Sequence, residues 1–222
     1  MIARDDEEED SRMALEHGPE DLAEARKKAA GTLKILDPTW MASRAEVRYS
    51  FPERSFFVPF FGEVYRVFYP SGEVTRPDGS PAGAREAIIL LHYLTHADGT
   101  RVQGRWVAYR DLPGARYHEP AFVADVEQPL SRGLSGRLDD LREWASDKEI
   151  REDLPGDLAI VWKVLPRVPL LVIFNERDEE FPASARVLFD ASAPNYLPTE
   201  DLSVLAEIAV ARILEELGAL PR

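Results

Sequence analysis

The stretch DLAIVWKVLPRVPLLVIF, residues 157–174, decides the architecture. Two apolar runs rich in Val, Ile and Leu flank Leu-Pro-Arg, and such residues favour a pleated, covered surface. The runs read as paired or neighbouring strands. The second, PLLVIF, carries no polar side chain and is expected to be buried on both faces.

Working outward toward the C-terminus, ARVLFD (185–190) is a further short strand. Thr199 to Leu217 is a long, mostly apolar helix with Gly218 just past its end. Thr199 is its expected N-cap, and Glu200 and Asp201 sit in the first turn, where the helix dipole favours negative charge. Asp190 or Ser192 can close a local side-chain-to-backbone turn before it. Asn195 and Tyr196, held between Pro194 and Pro198, are left without such a structural task.

Working outward toward the N-terminus, helical signal covers about Glu119 to Ser131 and Gly136 to Glu149. RWVAYR (105–110) reads as a strand, and Arg85 to about Ala97 as a helix ended by Asp98-Gly99. The aromatic and β-branched segment from Arg48 to about Pro81, with Gly62, Gly72 and Gly79 at turn positions, is a meander of three or four antiparallel strands. Before it come a helix starting at Pro19 and a second capped by Asp37 with Pro38 at its first position. Strands and helices do not alternate strictly, so the expected class is α+β: mixed, mainly antiparallel sheets packed with several helices in a single compact domain, residues 19–222. Residues 1–18 are expected to be a disordered acidic tail.

The 222 residues carry a net charge of −13, of which six acids and Arg4 in the first ten residues supply −5. The remaining −8 argues against binding a nucleic-acid backbone, which calls for clustered Lys and Arg. No apolar run approaches the ~20 residues that span a bilayer, and no secretory signal opens the chain, so a soluble cytoplasmic protein is expected. With no cysteine, disulfides, a thiol nucleophile and any iron–sulfur cluster ligated by this chain are excluded.

Three segments hold candidate sites. HYLTH sets His92 and His96 four apart, on one helical face, as a metal pair requires. His118, Glu119 or Asp98 is available as a third ligand, but Tyr93 stands where a metalloprotease helix has its Glu. The same histidines with Arg85 equally form the polar stripe of an apolar helix. In RWVAYRDLPG, Trp106 and Arg110 would share a strand face able to stack on and clamp an anionic or aromatic molecule. NERDEEFP clusters Glu176, Asp178, Glu179 and Glu180 without the offsets or glycine of a calcium loop, and reads as a solvated connection. No nucleophile elbow, P-loop or dinucleotide fingerprint is present.

The blocks LLHYLTHADGTRVQGRWVAYRDLPGARYHEPAF (90–122), GDLAIVWKVLPRVPLLVIFNERDEEFPASARVLFDASAPNYLPTEDLSVLAE (156–207) and FFVPFFGEVYRVFYPSGEV (56–74) resemble a prokaryotic family catalogued as a domain of unknown function. The resemblance runs from about Leu22 to Leu217. It implies an anaerobic setting, with some relatives fused to iron–sulfur segments used in corrinoid and one-carbon metabolism. It assigns no activity, cofactor or catalytic residue.

The leading expectation is an accessory or small-ligand- or cofactor-binding domain in anaerobic metabolism, with Trp106 and Tyr196 stacking on the ligand, Arg110 engaging an anionic group and Asn195 beside them. The alternatives are a metal-assisted hydrolase using His92, His96 and His118, and a structural interaction module. For the last, Phe56, Phe57, Phe60 and Phe61 would form a homodimer face. Expected partners are thus a small molecule or a protein, with neither nucleic acid nor membrane.

Overall fold

The computed structural model describes residues 19–219, and the expected acidic tail lies outside them. The chain opens with α1 (Pro19–Ile35) and α2 (Pro38–Ala45). Asp37 caps α2 as its sequence implies: its carboxylate accepts the N–H groups of Thr39 and Trp40, both at 2.9 Å. These bonds and that from the Thr39 hydroxyl hold its carboxyl below the usual range.

The aromatic segment folds into the antiparallel meander β1 (Arg48–Ser50), β2 (Ser55–Phe60), β3 (Glu63–Phe68) and β4 (Val74–Thr75). Phe60 pairs with Glu63, so Phe61 and Gly62 alone make the turn. Both have positive φ, 53° and 83°, as the tightest hairpin turn demands to match strand twist. Phe56 and Phe60 are fully buried and Phe61 nearly so, while Phe57 lies under the Arg48 guanidinium at 3.7 Å. Three of the four phenylalanines of the expected dimer face are therefore taken up by the chain's own core.

Next come α3 (Ala84–His96) and the short strand β5 (Trp106–Ala108). The expected strand stops at Ala108, and Tyr109–Asp111 and Ala115–His118 form 3₁₀ turns. The helical stretch that follows is broken into α4 (Glu119–Phe122), a π-helical turn (Val123–Glu127) and α5 (Gln128–Leu134). Here the Gln128 N–H reaches five residues back to the Val123 carbonyl. Pro129 follows with no N–H of its own, so the ladder must be re-set at this point. α6 (Leu138–Trp144) is shorter than expected, because Glu149 and Ile150 leave it to form β6.

The decisive stretch becomes β7 (Leu158–Leu165) and β8 (Val168–Asn175), paired antiparallel, with β9 (Ser184–Asp190) on the other side of β8. The second sheet is antiparallel in the order β5-β9-β8-β7-β6. α7 (Thr199–Glu216) closes the chain, and Gly218 takes the left-handed conformation just past its end. Leu202, Leu205, Ala206, Ala209, Val210, Ile213 and Leu214 give α7 one buried stripe at helical spacing. Pro198, not Thr199, occupies the N-cap position, and the Thr199 hydroxyl donates instead to the Pro113 carbonyl at 2.7 Å.

One hydrophobic core joins both sheets and the helices into a single α+β domain. The Phe61 N–H donates to the Val164 carbonyl at 2.9 Å, so the hairpin tip of the first sheet is bonded to β7 of the second. The opposite face of the second sheet holds a small satellite cluster, Ala159, Val161 and Leu171 with Trp106 and Leu188. Among polar groups in the core, Glu86 of α3 is the hub. It accepts from Tyr65 Oη (2.9 Å), Arg76 (3.0 Å), the Gly83 N–H (3.1 Å) and Arg212 of α7 (3.0 Å). No helix among the described residues is long and apolar enough to cross a membrane.

Candidate functional site

The polar stripe on α3 faces α7. His92 Nδ1 lies 2.5 Å from Asp201 Oδ2, and Arg85 bonds to Glu207. Rising numbers on α3 meet falling numbers on α7, so the two helices run antiparallel at this seam. The sequence explains both halves. The buried face of α3 (Ile89, Leu90, Tyr93, Leu94) turns its polar stripe to the side. Asp201 sits in the first turn of α7, three positions after Pro198 has set its start.

Beside the seam lies a cavity of about 510 Å³. Leu22 and Ala25 of α1 form one wall, and Ile88 and Ile89 of α3 the floor. Tyr109, just after β5, and Phe122, the last residue of α4, also line it, their rings stacked nearly parallel with centroids 4.3 Å apart. Val204 and Ser203 enter from α7. Burial pushes the Tyr109 phenol above its ordinary value, although its hydrogen bond with Ser203 opposes the shift. The size and predominantly apolar lining are those of a small-molecule site.

Its charges are unequal in their commitments. Arg85 is engaged by Glu207. Asp125, carried in by the π-helical turn, and Glu200 line the same cavity with no ion-pair partner among the described residues. Wide turns of this kind often mark functional positions. A more open recess of about 780 Å³ lies on the other side of the Arg85–Glu207 pair. There the guanidinium groups are already bonded, Arg76 to Glu86 and Arg212 to Glu63 and Glu86, leaving no uncommitted cation among the described residues that line it.

The sequence-derived candidates are dispersed. His92 and His118 both line the cavity. His96 is exposed, with Nδ1 3.0 Å from the His92 carbonyl and its ring edge-to-face with that of His92 at 5.2 Å. Among the described residues no group of three or more His, Cys, Asp or Glu is placed to hold a metal ion. Trp106 lies on the satellite face of the second sheet, whereas Tyr196 is fully buried in the main core. Tyr196 stacks on Tyr93 at 5.7 Å and donates to the Thr100 carbonyl, so these two aromatics do not form one stacking pair. Arg110 belongs to a 3₁₀ turn and not to the strand. It is exposed and pairs with Glu119 at 3.3 Å. Asn195 ends the 3₁₀ turn Ala193–Asn195, and none of Trp106, Arg110, Asn195 and Tyr196 borders the cavity. Two of the NERDEEFP acids accept backbone N–H groups: Asp178 from Glu180 and Phe181, and Glu176 from Gly136.

Asp201, Asp125, Tyr109 and Ser203 are the site residues that sequence reasoning did not select. Asp201 reads as a dipole partner until α3 is laid beside it. The available signal was complementarity: Arg85 and His92 are seven apart on one helix, and Asp201 and Glu207 six apart on another, so each pair nearly lines up along its axis.

No curated protein and no solved structure matches the chain. A family model does match, over residues 37–212, a span that holds α3, α7 as far as Arg212 and the 109–125 wall but not Leu22 and Ala25 of α1. By that match the chain belongs to the family described as domain of unknown function (DUF3786).

Proposed function

We propose that this chain is a small-ligand-binding domain whose ligand occupies the cavity between α1, α3, α7 and the 109–125 segment. The observation that supports it is the cavity itself, about 510 Å³, in which apolar side chains share the lining with polar and charged groups from three separate elements. The accessory role in anaerobic metabolism implied by the family resemblance is part of the same reading. The Trp106 and Tyr196 clamp is not, since those side chains serve two different hydrophobic clusters.

A neutral environment-sensitive dye, 6-propionyl-2-(dimethylamino)naphthalene, tests it. Saturable blue-shifted fluorescence at one dye per chain is expected. Val204→Trp, which places an indole in the cavity, is expected to weaken binding at least about tenfold, the equivalent of about 1.4 kcal/mol. Equal binding by the two proteins would remove the cavity from the reading.

A further inference from the structure

We infer that the His92 imidazole, fixed through Nδ1 by Asp201, is the proton acceptor of this cavity and acts on a small molecule that is not an anion and carries one abstractable proton. The inference rests on the cavity being a ligand site. A carboxylate 2.5 Å from Nδ1 holds the proton on that side of the ring, which leaves the Nε2 lone pair as the acceptor. Nε2 has no hydrogen-bond partner among the described residues, and His92 lines the cavity. When Nε2 takes a proton, the positive charge formed on the ring faces the Asp201 carboxylate, which stabilises it.

The setting favours this use over a purely structural ion pair. The two side chains are 24% and 15% exposed, enough for a small molecule to reach them and little enough for the apolar walls to limit screening by water. Arg85, the other basic group on this face of α3, is paired with Glu207. Asp125 and Glu200, by contrast, present carboxylates without an ion-pair partner among the described residues. An anionic substrate would be repelled by them, so the charge pattern disfavours one.

The probe is 5-nitrobenzisoxazole, whose ring opening needs only a base in an apolar surrounding. Its C3 proton passes to Nε2, the C–H electron pair completes a nitrile, and the N–O bond breaks with its pair going to the phenolate oxygen. Solvent then removes the proton from the imidazolium. The full chain is expected to turn the probe over saturably, and His92→Gln to lose about a hundredfold of that rate. Asp201 is a positioning residue: Asp201→Asn is expected to lower kcat about tenfold with KM within about twofold, and Asp201→Glu to recover most of it. The Asp201 pair decides the matter should His92→Gln not fold.

Wild-type turnover by folded His92→Gln, or kcat unchanged in Asp201→Asn, overturns the inference. The unreactive isostere 6-nitrobenzotriazole separates it from the reading beneath it. Saturable isostere binding without turnover overturns the proton acceptor and leaves the ligand site standing. Neither binding nor turnover, with no dye binding, overturns both.

Discussion

The Glu86 carboxylate and the Arg212 guanidinium, 126 positions apart in sequence, meet at 3.0 Å and tie α3 to α7. Burial acts to raise the Glu86 pKa, but the bonds from Tyr65, Arg76, Gly83 and Arg212 outweigh it and hold the carboxyl below its ordinary 4.5. A buried charge so supported becomes a liability once its partners lose it. Glu86→Ala leaves Arg212 half-stranded and is expected to cost about 3 kcal/mol in urea unfolding.

The same carboxyl gives a pH signature. Its folded pKa is depressed, so its contribution is fully present above the unfolded value near 4.5 and is lost as pH falls through the lower folded value. The stability difference between wild type and Glu86→Gln should therefore be constant near neutrality and shrink under acid. Unfolding curves between neutrality and strong acid check this, and a difference that grew on acidification would contradict it.

Asp190 at the end of β9 is fully buried. It accepts the N–H groups of Gln103 (3.0 Å), Gly104 (2.6 Å) and Ser192 (2.9 Å), together with the Ser192 hydroxyl (2.6 Å). Asp190→Ala leaves several donors without an acceptor and is expected to lose about 3 kcal/mol. Asp190→Asn, which keeps one acceptor oxygen, should lose less. Thermal melts of the two variants order them.

Gly72 and Gly79 separate two costs of adding a methyl group. Both have positive φ, 71° and 85°, but only at Gly72 would a Cβ meet the helix α1, 2.6 Å from the Ala30 Cβ. Gly79→Ala is expected to cost about 1 kcal/mol, from backbone conformation alone. Gly72→Ala should cost about 3 kcal/mol, with overpacking added. Chemical denaturation of both variants is the measurement.

Tyr196 offers a contrast between core and site. Its hydroxyl bonds to the Thr100 carbonyl beneath a fully buried ring. Tyr196→Phe is expected to lose about 1 kcal/mol of stability and to leave dye affinity unchanged, since the ring does not border the cavity.

Local chemistry made much of the fold legible. The Asp37-Pro38 start, the glycine-punctuated meander and the apolar runs of β7 and β8 each carry their own geometry. Thr199 and Arg110 were misplaced because their partners are distant: Pro113 takes the Thr199 hydroxyl, and the chain leaves the sheet at Tyr109. The site was less legible still. His92 stands out, but Asp201 is 109 positions away, and no periodicity in either helix reveals which seam they share. Tyr196 reads in sequence as an aromatic in a stiff turn. Burial, which sequence does not report for a residue in a turn, shows that it serves the core.

The π-helical turn at Val123–Glu127 has a consequence for angular phase. Phe122, Val126, Leu130 and Leu134 are all buried at a strict spacing of four. On an unbroken α-helix each such step would drift by about 40° around the axis, about 120° over the three steps. The wide turn takes part of that rotation back, so one line of side chains stays against the core across both helices. Asp125, inside the turn, is thereby freed from the heading of either flanking helix. Deleting a single residue there would rotate the carboxylate away from the cavity while leaving α5 seated.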